Sequence, residues 1–214
     1  MLICFDYDGV IVDSLALLTS LCIKAQRGLG LGREPCAADF AHLNPLTFDA
    51  LAKEIGIPAR DAQRFAEGVF ALQAQSGAVP SLCTGIGDVV STLSEQHVVV
   101  VITASDASAV YAALDAHGLA GPVESVLGAE LGLSKAQRIV HTMDRLGFSV
   151  AQSVMVGDAR SDIHAGQDAG VHTVAVTWGF QPASWLNRAS PTATVSSPSQ
   201  LLGLFAAGAN AFGA

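Results

Sequence analysis

The sequence predicts an α/β protein: a parallel β-sheet covered by helices on both faces, with an α-helical subdomain inserted after its first strand. Two observations carry this. The first is a series of short apolar runs, each followed by a turn and then by helical spacing of apolar residues. Strands buried on both faces read as continuous apolar runs, and their alternation with helices marks a parallel sheet. The second is a long interruption of that rhythm. More than ninety residues separate the first run from the second, and a plain crossover needs far fewer.

The runs are Leu2-Ile3-Cys4-Phe5, Val98 to Thr103, Val123 to Leu127, Ser153-Val154-Met155-Val156, Val171 to Thr177 and Ala193-Thr194-Val195. The second is β-branched almost throughout, which favours strand over helix. The interruption, from about Ser14 to Ser81, holds no convincing strand. Phe48 to Ile55 and Ala62 to Gln75 show helical spacing. The domain boundaries are therefore expected at 1–14 with 81–214 for the core and 15–80 for the insert. Gly28, Gly30 and Gly32 follow a helical pattern and not a strand, so they read as a helix C-cap and loop and not as a dinucleotide loop. The stretch from Ser190 to Ser199 reads as loop, strand and loop before a last helix near Ser199.

Composition narrows the function. Half of the 214 residues are hydrophobic and 14% are charged, enough to bury a core. The formal charge of -8 gives no electrostatic attraction to a phosphate backbone, so nucleic acid is not an expected partner. The apolar runs are too short for a signal peptide or a membrane span. The expectation is a soluble, cytoplasmic protein with no membrane partner and an oligomeric state that the sequence does not set. Cys4, Cys22, Cys36 and Cys83 have neither C-x-x-C nor metal spacing, and read as free thiols in a reducing compartment.

In an open parallel sheet, ligands bind beyond the carboxyl ends of the strands. Asp6-Tyr7-Asp8-Gly9 follows the first run: two carboxylates one residue apart at a buried strand end can hold a hard cation. An EF-hand is excluded, since Val10, Ile11 and Leu17 stand where an oxygen ligand, the invariant Gly and the Glu would be needed. Thr103-Ala104-Ser105-Asp106 follows the second run. A hydroxyl there suits an anion, although a Thr at such a place is more often a helix N-cap. Asp158 and Asp162 follow the fourth run at i, i+4, where a helix would set them on one face and a cation would offset their repulsion. Lys135 opens a helix expected to run to Leu146. A cation at that end opposes the helix dipole unless it has an anionic partner.

Together these residues resemble the motif set of the haloacid dehalogenase superfamily. Asp6-x-Asp8-Gly9-Val10-Ile11-x-Asp13-Ser14 is similar to its first motif, Thr103 to the second, Lys135 to the third and Gly157-Asp158-x-x-x-Asp162 to the fourth. The likeness spans nearly the whole chain. The segment from Val156 to Phe180 resembles the phosphoglycolate phosphatase subgroup.

The resemblance implies a Rossmann-like core with a helical cap, and a Mg²⁺-dependent phosphatase acting on a small phosphorylated metabolite. Asp6 would be the nucleophile and Asp8 the acid and base. Thr103 and Lys135 would hold phosphoryl oxygens. Mg²⁺ would sit between Asp6, Asp8 (through its backbone carbonyl) and Asp158, with Asp162 supporting the shell. Two departures are visible: Ala136-Gln137 replaces the common proline after the lysine, and the stretch from Ala41 to Leu46 has no Gly. His42 and Asn44 there are expected to cap the helix beginning near Thr47. His97, His117, His141, His164 and His172 show no ligand spacing. A phosphomutase shares the first motif and is the nearest alternative. Receiver domains also use Asp, Thr and Lys around Mg²⁺, but lack the insert. An inactive binding protein would be expected to have lost Asp6 or Asp8.

Overall fold

The computed structural model describes residues 1–206, and the chain divides into two compact units. The first joins Met1–Asp13 to the chain from Ser81 onward; the second is Ser14–Pro80. In chain order the first unit opens with β1 (Leu2–Phe5) and β2 (Val12–Asp13). The second holds α1 (Leu15–Leu29), α2 (Ala37–Phe40), α3 (Phe48–Glu54) and α4 (Ala59–Ser76). The first then resumes with β3 (Ser81–Leu82), α5 (Ile86–Ser94), β4 (Val98–Ile102), α6 (Ala107–Ala116), β5 (Ser125–Leu127), α7 (Lys135–Leu146), β6 (Ser153–Gly157), α8 (Arg160–Asp168), β7 (His172–Val176), α9 (Ala183–Leu186), β8 (Ala193–Val195) and α10 (Pro198–Ala206).

All six expected runs are strands of one parallel sheet, in the order β5-β4-β1-β6-β7-β8. β1 lies inside it, with Phe5 in register with Val101 of β4 and Val156 of β6. The chain leaves β1 toward β4 and β5, then returns to β6 and moves the other way, so the switch in winding direction falls between β1 and β6. That is where an open sheet of this kind leaves a crevice.

Both faces are dry. Alternate residues of β1 point to opposite sides. Ile3 and Phe5 join a cluster with Val89, Leu93, Val110, Leu114, Leu201 and Phe205 from α5, α6 and α10. Leu2 and Cys4 join another with Ile139 and Met143 of α7 and Ala165 of α8. This double coverage is why the strands read as unbroken apolar runs.

The insert is helical throughout, and α4 packs against both α1 and α3. Leu51 and Phe65 are fully or almost fully buried. Gly30 closes α1 at φ 69° with its N–H on Gln26 O, the C-cap expected of the glycine series. One capping expectation is corrected. Thr47, not His42 or Asn44, caps α3, its hydroxyl accepting from Ala50 N at 3.3 Å. The structure adds a strand pair outside the six apolar runs: β2 and β3 form a short antiparallel ribbon, Val12 with Leu82 and Asp13 with Ser81.

Cys4, Cys22 and Cys83 are buried and Cys36 is exposed, all four as free thiols. Burial pushes the Cys22 and Cys83 thiols up to about 12, far from the reactive range. A thiol reagent should therefore titrate a single cysteine in the native protein and all four in denaturant. Rapid native labelling of more than one would show that the core opens under these conditions. No described helix is long and apolar enough to cross a membrane.

Candidate active site

The turn after β1 is tight because of its glycine. The N–H groups of Val10, Ile11 and Val12 all point to Tyr7 O, and Gly9 N donates to Val12 O at 2.8 Å. Gly9 sits at φ 78°, a left-handed conformation that costs little only for glycine. A Cβ there would run into the Asp158 carboxylate and the Phe180 ring. Gly179 leaves the same carboxylate room from another side. Gly9→Ala is expected to cost about 2 kcal/mol or more from strain and overpacking. Thermal unfolding would read this as a fall in Tm of about 5 °C; an unchanged Tm would mean that the turn adapts.

Asp6, Asp158 and Asp162 converge from three places in the chain. Asp6 directly follows β1, and its N–H donates to Val156 O at 2.9 Å, tying it to β6. Among the described residues they form the one group of three or more potential metal-ligating side chains, with one oxygen from each within 4.8 Å of the others. No histidine belongs to it. The expectation that Asp158 and Asp162 share a helix face needs correction. α8 begins at Arg160 with Ala159 as its N-cap, so Asp158 lies in the preceding turn. Asp162 folds back instead, its Oδ2 accepting from Ala159 N at 3.1 Å.

Lys135 supplies the offsetting cation. Its Nζ lies 2.5 Å from Asp162 Oδ1 and 3.1 Å from Asp6 Oδ1. Those carboxylates are the anionic partners that a lysine at a helix N-terminus needs. The missing proline after Lys135 is replaced by a capping box: Ser134 Oγ accepts from Gln137 N, and Gln137 Oε1 accepts from Ser134 N. Burial works against the Lys135 charge, but the Asp162 and Asp6 carboxylates outweigh it and hold the ammonium protonated well above its usual range. Burial, with Asp162 beside it, pushes the Asp6 carboxyl up to about 7, Lys135 pulling it down and Asp8 adding to the rise. Burial likewise raises Asp158 well above the usual carboxylate range.

Asp158 is fully buried. Its Oδ2 accepts from Phe180 N at 2.6 Å, whereas Oδ1 has no hydrogen-bond partner. A buried carboxylate oxygen with no donor, on a residue clustered with two more carboxylates, fits a hard divalent cation. The Asp8 carboxylate lies outside this triad and accepts instead from Ser105 Oγ at 2.8 Å.

Thr103 follows β4 and is fully buried. It is not a helix N-cap; that role belongs to Asp106, whose side chain accepts from Ser108 N and Ala109 N. Thr103 Oγ1 accepts from Ser105 N at 3.0 Å. Two residues beyond the motif set complete the site. Ser105 is 8% exposed and touches Asp8. Arg138, also buried, donates through Nη1 to Thr103 O and to Leu127 O, pinning the ends of β4 and β5. Its place one turn after Lys135 was the only sequence signal, and a single helical Arg ordinarily reads as solvated.

Comparison with known proteins shows the family and the fold. The family model described as haloacid dehalogenase-like hydrolase matches residues 3–176. Probable phosphatase IndB of Dickeya dadantii is 28% identical over 211 residues, covering 94% of this chain and 92% of its own. A phosphoglycolate phosphatase of Synechococcus elongatus is 29% identical over 205 residues, covering 94% of each. A solved haloacid dehalogenase-like hydrolase from Streptococcus pneumoniae shares the fold at a TM-score of 0.84 and 19% identity, over 95% of this chain and 97% of that one. The carboxylates, lysine and hydroxyl gathered at the strand ends are thus set in a matching fold, and the chain belongs to the haloacid dehalogenase-like hydrolase family.

Proposed function

We propose that this protein is a Mg²⁺-dependent phosphatase that hydrolyses a small phosphomonoester through an aspartyl-phosphate on Asp6, with phosphoglycolate the first candidate substrate. One observation carries the reading. Asp6 follows a central strand with its carboxylate on Lys135 and in one cluster with Asp158, whose Oδ1 has no hydrogen-bond partner, while Asp8 holds a second carboxylate outside the cluster. This arrangement supports a reading in which one carboxylate attacks and the other exchanges protons. The phosphoglycolate phosphatase from Synechococcus elongatus, similar over nearly the full length of both chains, motivates the candidate substrate.

Asp6 attacks phosphorus as the ester P–O bond breaks, and Asp8 gives its proton to the departing oxygen. Asp8, now a carboxylate, takes a proton from water as that water attacks phosphorus; the Asp6 O–P bond breaks, freeing the Asp6 carboxylate and releasing inorganic phosphate. Lys135 and the Thr103 hydroxyl hold the phosphoryl oxygens through both steps. Asp6, Asp158 and the Asp8 carbonyl would hold Mg²⁺, with Asp162 behind them, and the bound ion would neutralise charge developing on the phosphoryl group.

Phosphate release from a panel of small phosphate esters tests the reading. The expected result is turnover with Mg²⁺, none after EDTA, and one ester clearly preferred. Undiminished release in EDTA would remove the metal from the reaction. No release from any ester, but phosphoryl exchange on a sugar phosphate, would favour a mutase.

A further inference from the structure

We propose that Ser105 is a positioning residue for acid–base catalysis: its hydroxyl holds the Asp8 carboxylate in the orientation that proton transfer requires. The proposal rests on the phosphatase reading above and adds a residue to it. Ser105 Oγ donates to Asp8 Oδ2 at 2.8 Å, joining positions 97 residues apart in the chain. An Asp side chain turns easily about its last torsion, which is broad and roughly two-fold. A buried donor on one carboxylate oxygen fixes that torsion and so fixes where the proton is presented.

Ser105 is itself held at three atoms. Its N–H donates to Thr103 Oγ1 at 3.0 Å, its carbonyl accepts from Ala129 N at 3.2 Å, and its hydroxyl is on Asp8. Gly128 packs directly against this segment. A Cβ there would lie 2.7 Å from Ser105 O and 2.6 Å from Ala107 N, closer than real contacts allow. Glu130 adds an acceptor for Ala107 N at 3.2 Å. A segment braced this closely delivers the Ser105 hydroxyl to one place. The same serine thereby connects the residue proposed to hold phosphate, Thr103, to the residue proposed to move the proton, Asp8.

The test compares wild type, Ser105→Ala and Ser105→Thr with Mg²⁺ on two esters: phosphoglycolate, an alkyl phosphate whose leaving oxygen needs a proton, and para-nitrophenyl phosphate, whose phenolate leaves without one. Ser105→Ala should lower kcat on the alkyl ester by about 10- to 100-fold, a share of what general acid–base catalysis provides, and leave KM within about twofold. On the aryl ester the first turnover should stay near the wild-type rate, giving a burst of nitrophenolate before a slow steady state. Ser105→Thr, which keeps the hydroxyl, should recover most of the loss.

Adding Ser105→Ala to Asp8→Asn should cost nothing more, because residues that act through one another are not additive. Equal slowing of the first turnover on both esters, a change in KM alone, full activity of Ser105→Ala, or additive losses in the double variant would each overturn the proposal. Wild type inactive on these two esters and on every other ester of the panel would overturn the phosphatase reading and this proposal with it. Wild type active with an unaffected Ser105→Ala would overturn this proposal alone.

Discussion

Replacing Asp6 by Asn is expected to lower turnover by at least about 10⁴-fold, the scale seen when a covalent nucleophile is removed. The amide has nearly the same shape as the carboxylate but cannot form an acyl phosphate. Fold loss is not expected to confuse the result. In the metal-free protein the Asp6 carboxyl rises from an ordinary 3.8 to about 7, because burial and Asp162 disfavour its charge. A carboxyl raised on folding contributes stability that is full below 3.8 and lost as pH climbs through about 7. Metal-free wild type should therefore lose stability over that interval. Asp6→Asn, neutral throughout, should lose less and be at least as stable at pH 8. Urea unfolding in EDTA across pH, together with phosphate release in Mg²⁺, reads both effects. An Asn variant with wild-type rates would end the proposed mechanism. Asp8→Asn should leave the nucleophile intact and accumulate phosphoenzyme, seen in acid-quenched intact mass as one added phosphoryl group.

The second large effect is expected at Lys135. Its ammonium bridges Asp6 and Asp162, whose side chains are 10% and 1% exposed. Lys135→Met would leave the carboxylate cluster without its cation. Removing one partner of a buried ion pair typically costs about 3–5 kcal/mol. If Lys135 holds a phosphoryl oxygen as proposed, losing its charge should lower kcat/KM by about 10²- to 10³-fold. The two losses should respond differently to Mg²⁺. A divalent cation in the cluster would replace some of the missing positive charge, so stability should recover in part with metal while activity stays low. Unfolding curves with and without Mg²⁺ measure this directly. Unchanged metal-free stability would mean that the lysine is held for catalysis at no net benefit to the fold.

Much of this was legible because the core is buried on both faces. Each β-branched or apolar run between turns became a strand, and Asp6, Thr103 and Asp158 each directly follow a strand end. What escaped reading has physical reasons. β2 and β3 contribute two residues each, too few to show a period. Arg138 looks like a surface residue of an amphipathic helix until the ends of β4 and β5 come beneath it. Asp158 and Asp162 come together for a reason other than helical spacing. Helical spacing suggested a shared face, whereas a capping interaction turns Asp162 back toward a turn that is not helical. At helix starts several polar residues compete to cap, and the choices of Thr47 over His42 and Asn44, and of Asp106 over Thr103, depend on backbone angles that composition does not encode.

The short ribbon of β2 and β3 has a consequence for how such a protein can be altered. Asp13 and Ser81 are cross-strand neighbours, and Cys83 N extends the pairing to Ile11 O at 2.9 Å. The segment between them therefore begins and ends at adjacent points of one hydrogen-bonded pair, much as a hairpin turn does. Closing a loop costs free energy that grows only slowly with its length, so the paired strands tolerate segments of very different size between the same two residues. The interval from Ser14 to Pro80 is in this sense a cassette: its two ends are fixed to each other by the ribbon, and the register of the six parallel strands does not depend on pairing with any residue inside it.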